Sequence, residues 1–318
     1  METSAASSPP VAKLLPDELA TPPLTLGQLA WRRFRRHKMA LFGAVTLILL
    51  ILYAFGGAFI LSESYANTTN TRINLQAPSA VHLFGTDTVG RDILARTVYG
   101  GQISLLIGLT AVLIETLVGV LVGALAGYYG GLIDNLLMRI TEAMLNIPEI
   151  FLLIVMAKFF GNQIPTLNIA GREFSGSVIV IVVIIGLTSW MYLARIVRAE
   201  FLSIKENEFI LAARATGTSN LEIIFRHILP NSVAPIVVSA TLGVANAILA
   251  EAYISFLGLG VQPPTATWGN MLDRANNYID TAPWLWFFPG LLILLTVLSI
   301  NFLGDGLRDA LDPRSRTS

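Results

Sequence analysis

Residues 39–61 form 23 consecutive positions without a single charge. A helix needs roughly 20 apolar residues to cross a bilayer core of about 30 Å, so this stretch points to a chain whose solvent is partly lipid. Five more stretches follow: 103–127, broken only by Glu115; 140–160, which carries Glu142, Glu149 and Lys158; 177–194; 232–250, with room to continue past Glu251 to Leu257; and 283–303, which opens on Pro283-Trp284-Leu285-Trp286. Tryptophans at a span end suit the membrane interface. The β-branched run 178–185 continues apolar for too long to be a strand. Composition agrees: charged residues are 13% of the chain, against about 25% in soluble domains, and mean hydropathy is +0.65. That excludes a disordered chain. Equal numbers of basic and acidic residues, 21 each, argue against a general nucleic-acid binder. With no cysteine there is no disulfide, thiolate nucleophile or Cys-based zinc site.

The predicted fold is therefore an all-α integral membrane protein with six transmembrane helices. Residues 1–30 read as a flexible tail, 31–61 as a basic interfacial segment plus the first span, 62–102 as an outer loop, and 103–314 as a five-helix core. The first apolar run is too long for a signal h-region, so no secretory signal is expected. With the N-terminus inside, fifteen of the twenty-one Lys and Arg fall on cytoplasmic segments; Arg72, Arg91, Arg96, Lys158, Arg172 and Arg274 fall outside. This bias predicts a multi-pass protein with both termini cytoplasmic. The run Trp31–Lys38 reads as an anchor on anionic membrane lipid.

Gly119, Gly123, Gly127 and Gly131 recur every four residues and share a helix face. Small residues there let membrane helices approach closely, so the first three are expected packing positions. A charge at the bilayer centre costs at least ~2.5 kcal/mol, so Glu115, Glu142, Glu149 and Glu251 should face protein or water. Glu115, Glu142 and Glu251 are candidates either to line a path or to anchor helices. Pro148, Pro235 and Pro289 can kink their spans.

Chemistry of the enzymatic kind is missing. Gly85–Asp92 is the nearest approach to a phosphate loop, but Arg91 replaces the lysine and Asp92 the magnesium-binding hydroxyl. His37, His82 and His227 lie in separate segments, so no metal site is expected. No G-x-S-x-G or H-E-x-x-H occurs.

The segment 195–231 joins the fourth and fifth spans on the cytoplasmic side. Residues 205–216 favour helix, with Glu206 and Glu208 early, and Gly217 is a plausible stop. Ser219 with Glu222 reads as a capping box for a second helix, and Pro230 marks the start of the fifth span. Ala212, Ala213 and Ala215 give the first helix a small-residue patch into which a partner can pack.

The pattern Ala212-Ala213-x3-Gly217, followed by Leu229-Pro230, resembles the EAA loop of ABC-importer permeases. Leu211 stands where that family has glutamate, and His227 where it has isoleucine. Further stretches resemble the C-type permease of dipeptide/oligopeptide (peptide/nickel) importers: Phe84–Asp92, Ala126–Gly131, Phe225–Asn231, Glu251 through Pro264, Trp268–Met271 and Gly304–Pro313. The resemblance implies a prokaryotic plasma (inner) membrane, a second similar permease as heterodimer partner, two ABC ATPase subunits and an extracytoplasmic solute-binding protein. It makes Glu206, Glu208, Ala212, Ala213, Arg214, Gly217, Leu229 and Pro230 the ATPase-coupling loop. ATP and Mg would be bound by the partner ATPases, with no cofactor in this chain and no catalysis by it. Di- and oligopeptides are the expected cargo; nickel or another small solute is the alternative. An ion-coupled secondary transporter is the competing class, which would favour internal repeats and midplane carboxylates.

Overall fold

The structure is a computed structural model and describes residues 25–161, 163–169, 172–273 and 275–311. Most of the expected N-terminal tail, Arg274, and the end of the core from 312 to 314 lie outside the described residues. In chain order the helices are α1 (Leu26–Phe34), α2 (Lys38–Ile51), α3 (Glu63–Asn67), α4 (Ile93–Tyr129), α5 (Gly131–Leu145), α6 (Glu149–Phe160), α7 (Ser177–Ile204), α8 (Glu208–Ala215), α9 (Asn220–Glu222), α10 (Leu229–Asn231), α11 (Val233–Phe256) and α12 (Trp284–Leu311). A small antiparallel hairpin, β1 (Leu167–Ile169) with β2 (Arg172–Phe174), sits between α6 and α7.

Five helices are long and apolar enough to cross a membrane by themselves: α2 with its continuation to Phe59, α4, α7, α11 and α12. The expected third span, 140–160, is not one helix. It is α5 and α6, bent by 86° about Asn146-Ile147-Pro148. Pro148 lacks an amide hydrogen and holds its predecessor out of the α region, so α5 ends before it. Connectivity decides that the bent pair counts as a crossing. At one end, Phe34 and Ala40 pack near Gly306, and His37 Nε2 lies 3.5 Å from Asp309 Oδ2. The chain therefore starts its first span where it ends its last, which requires an even number of crossings. Five unbroken spans and one broken one give six.

The outer loop expected over 62–102 is shorter than the sequence reading made it. Asp92 caps α4 by accepting a hydrogen bond from the Ala95 amide at 2.8 Å, so the helix begins at Ile93 rather than near 103. Arg96 and Gln102, which fall within the expected loop, are buried on this first part of the helix. Gln102 is held there by donating to the Ala54 carbonyl at 2.8 Å.

The centre of the bundle is the α4–α7 pair. Added Cβ atoms on Gly119 and Gly127 would meet the Cβ atoms of Leu193 at 3.0 Å and Phe201 at 2.6 Å; one on Gly123 would press on the Ala194 carbonyl. Gly186 reciprocates from α7, against Ile114 at 2.6 Å. Small residues on both helices let the backbones touch, which is how membrane helices gain packing without a hydrophobic driving force. Gly131 does not join this face. It opens α5, and its Cβ would meet nothing within 4 Å.

Candidate functional site

The two ends of the bundle differ. At the 62–92 end the connections fold back into the protein. Trp268, fully buried, donates from Nε1 to the Thr97 carbonyl at 2.8 Å and from its amide to Ser104 Oγ at 3.1 Å. Arg172 on β2 pairs with Glu63 at 2.7 Å, donates to Gln102 at 3.0 Å and lies 5.2 Å from the Tyr99 and Phe174 ring centroids. His82 Nδ1 meets Asp92 Oδ2 at 2.8 Å, and Tyr65 OH donates to the same oxygen at 3.3 Å. Burial, then the Asp92 charge, pushes the Tyr65 phenol above its ordinary pKa and keeps it a donor. The Gly85–Asp92 turn is closed by its own carboxylate: Asp87 accepts from the Val89 and Arg91 amides at 2.9 Å and from Arg91 Nε at 2.6 Å. Those amides are not free to cradle a phosphate.

At the other end lies the 205–231 segment. The sequence places one helix over 205–216; the structure ends α7 at Ile204 and starts α8 at Glu208, so Glu206 precedes the helix and is exposed. Glu208 sits in the first turn of α8, where a carboxylate favours the helix dipole. Gly217 follows with φ of +83°, a conformation that side chains resist. Ser219 Oγ then accepts from the Glu222 amide at 3.3 Å. From α9 the chain continues as a π-helical stretch, Ile223–Ile228, into α10, which contains Pro230.

Four isoleucines of this segment are buried: Ile210, Ile223, Ile224 and Ile228. They pack with Phe201 and Ile204 of α7 and Tyr128 of α4, and Leu229 packs on the rim. Polar contacts pin the same joint. Tyr128 OH donates to Asn220 Oδ1 at 2.7 Å, Arg214 lies 5.6 Å from the Tyr128 ring centroid, and Lys205 Nζ donates to the Gly127 carbonyl at 3.1 Å. Tyr128, Lys205 and the isoleucines were not singled out by the sequence reading. Ile224 and Ile228, four apart, were the available signal. Away from the joint the segment presents Phe209, Leu211, Leu221 and Phe225, between 46% and 65% exposed, with Ala212 exposed among them. Exposed apolar side chains on a well-packed support are a surface that a partner can cover.

Between α6, α7, α11 and α12 lies a cavity of about 1240 Å³. One wall is the broken segment 144–153; Thr188, Ser189, Tyr192, Pro235, Ser239, Asn246 and Tyr253 line others, and Arg308 lies at its edge. The four membrane carboxylates part company here. Glu115 lines the cavity and is 7% exposed. Glu149, at the start of α6, lines it too and accepts from Ser189 Oγ at 3.2 Å. Glu251 does not reach it: fully buried, it accepts from Ser255 and Thr267 at 2.7 Å and from Ser104 at 3.4 Å. Glu142 is half exposed, 3.7 Å from Arg139, on a smaller cleft of about 770 Å³ beside the Arg198–Asp134 pair. Among the described residues no group of three His, Cys, Asp or Glu is placed to hold a metal ion.

Comparison with known proteins adds a family. Residues 119–317 match the model of the binding-protein-dependent transport system inner membrane component, and residues 25–78 that of the N-terminal TM domain of oligopeptide transport permease C. A dipeptide transport system permease protein, DppC, of Alkalihalophilus pseudofirmus is 45% identical over 91% of this chain and 90% of its own length. The oligopeptide transport system permease protein OppC of Escherichia coli K12 is 43% identical over 92% of both. Among solved structures, a chain of the inward-facing MetNI methionine ABC transporter aligns with TM-score 0.53 and 21% identity, over 68% of this chain and 95% of that one.

Proposed function

This chain belongs to the family of binding-protein-dependent transport system inner membrane components, and from that premise we propose that it is one of two permease subunits of an ATP-driven importer of di- and oligopeptides. The identity to peptide permeases along nine-tenths of the chain carries this reading. The chain is a multi-pass membrane permease subunit and not itself a catalyst. In the proposed assembly a similar second permease completes the path, two ABC ATPase subunits bind and hydrolyse MgATP, and an extracytoplasmic binding protein delivers the peptide. The 205–231 face is cytoplasmic, with both ends of the described chain on that side of a prokaryotic plasma membrane. The proximity of His37 to Asp309 supports that arrangement.

We assign coupling to the 205–231 segment. Ala212, Ala213 and the exposed apolar side chains around them enter a groove of an ATPase. Glu206, Glu208 and Arg214 frame that contact, and Gly217 makes the turn that presents it. When the ATPases close, motion passes through the buried isoleucines to Phe201 on α7 and Tyr128 on α4, a rigid link from loop to spans. Leu229 and Pro230 carry the same joint into α11. The spans then rock between inward- and outward-open states. Gly119, Gly123 and Gly127 keep α4 and α7 moving together. Glu251 is a helix anchor, Glu142 a surface residue, and Glu115 part of the path wall.

The test is purification of the tagged chain in mild detergent from its native host, with mass spectrometry of what accompanies it. A second permease and ABC ATPases are expected. A chain that comes out alone and folded would contradict the assembly.

A further inference from the structure

Two buried carboxylates in this membrane domain have opposite surroundings. Glu251 is satisfied by three hydroxyl donors. Glu115 is 93% buried, its exposure being 7%, and no hydrogen bond or ion pair reaches it from the described residues. Its carboxylate lies over Gly243, where an added Cβ would sit 3.2 Å from Oε2, and it faces the cavity. The charge that acts on it is that of a second carboxylate, Glu149. A carboxylate accepts hydrogen bonds and donates none, so an unpartnered one in a span wants a cation with donors. The cavity supplies acceptors nearby. Ser189 donates its hydroxyl hydrogen bond to Glu149 and keeps its lone pairs as acceptors, and Asn246 offers an amide oxygen. Overall the lining carries three carboxylates, Glu115, Glu149 and Glu200, against one guanidinium, Arg308, which is exposed.

We propose that Glu115, with Glu149, Ser189 and Asn246, forms a subsite that receives a primary ammonium group of the cargo as it passes through the cavity. This rests on the reading of the chain as a peptide permease wall. Peptides carry an ammonium at the N-terminus and on lysine side chains, and either presents three N–H donors to these acceptors. The subsite holds the charged end of a peptide away from lipid while the rest of the cavity, mostly apolar, accepts varied side chains.

The absence of native cysteine makes a direct test available. Ser239 lines the cavity one helical turn before Gly243. In the reconstituted complex, Ser239→Cys would be reacted with aminoethyl methanethiosulfonate, a primary ammonium, and with the sulfonatoethyl reagent, an anion. Val81→Cys, 78% exposed on the loop before α4, supplies their intrinsic ratio. The ammonium reagent should gain about tenfold at position 239 relative to 81. Glu115→Gln should remove most of that gain, Glu115→Asp should keep it, and Glu149→Gln should remove a smaller part. Ethylammonium chloride should slow the reaction more than sodium chloride at equal ionic strength. A preference untouched by Glu115→Gln, or equal slowing by both salts, would overturn the subsite. Failure of the underlying permease reading would show separately, as a wild-type complex that accumulates no peptide on ATP.

Discussion

Gly217 offers a prediction whose size follows from its backbone. Its φ is +83°, and an added Cβ would meet nothing within 4 Å. Sterics with neighbours therefore contribute nothing, and the whole effect of a substitution is the cost of the left-handed conformation. For alanine that is about 1–2 kcal/mol, which lowers the equilibrium constant for the native turn by a factor of about 5–30. Asparagine tolerates this region better, and a β-branched residue tolerates it least. Uptake by the reconstituted complex should thus fall in the order Gly217, Gly217→Asn, Gly217→Ala, Gly217→Val. Thermal stability in detergent should hardly change, because the residue is exposed and lies outside the spans. Binding-protein-stimulated peptide uptake and thermal unfolding would be measured on the same preparations. Wild-type uptake by Gly217→Val would refute the coupling role. An asparagine variant as impaired as valine would refute the backbone argument.

Gly123→Leu should force α4 from α7, since a Cβ there already presses on Ala194 and comes within 2.7 Å of Val197. Overpacking of that kind costs about 1–3 kcal/mol or more, read as a lowered unfolding midpoint, while Gly290→Leu on α12, with open space around it, should leave the midpoint in place. Glu251→Ala strips the acceptor from Ser104, Ser255 and Thr267, and each buried group left unsatisfied costs about 1–3 kcal/mol. Glu251→Gln, which retains an acceptor oxygen, should lose less in the same thermal assay. In membranes that hold the chain without its ATPases, single cysteines at Val81 and Leu221, exposed by 78% and 64%, should react with an impermeant maleimide from opposite sides; labelling from one side would overturn the topology.

How much of this was legible beforehand depends on how local each cause is. The unbroken spans were readable because an uncharged run of twenty residues has few alternatives. Gly217 was readable as a stop because a left-handed turn selects glycine by itself. The start of α4 was misplaced by ten residues: Arg96 and Gln102 look like loop residues until the partners that bury them are known, although Asp92 was a usable capping signal. Pro148 announced a kink, but not an 86° bend that turns the third span into a cavity wall. The carboxylates were the least legible. Glu115 and Glu251 look alike in sequence, and what separates them is Thr267, sixteen residues beyond Glu251, and Ser104 on another helix. Trp268 falls between the two apolar stretches ending at Leu257 and opening at Pro283, where sequence alone gives it no partner; its burial between Thr97 and Ser104 is a tertiary fact.

The most direct measurement of the central claim is tripeptide uptake by the complete complex in proteoliposomes, with binding protein outside and MgATP inside. Radiolabelled trialanine should accumulate only with hydrolysable ATP, and ionophores that collapse sodium and proton gradients should leave the rate unchanged. Accumulation that follows an imposed ion gradient and ignores ATP would contradict the account.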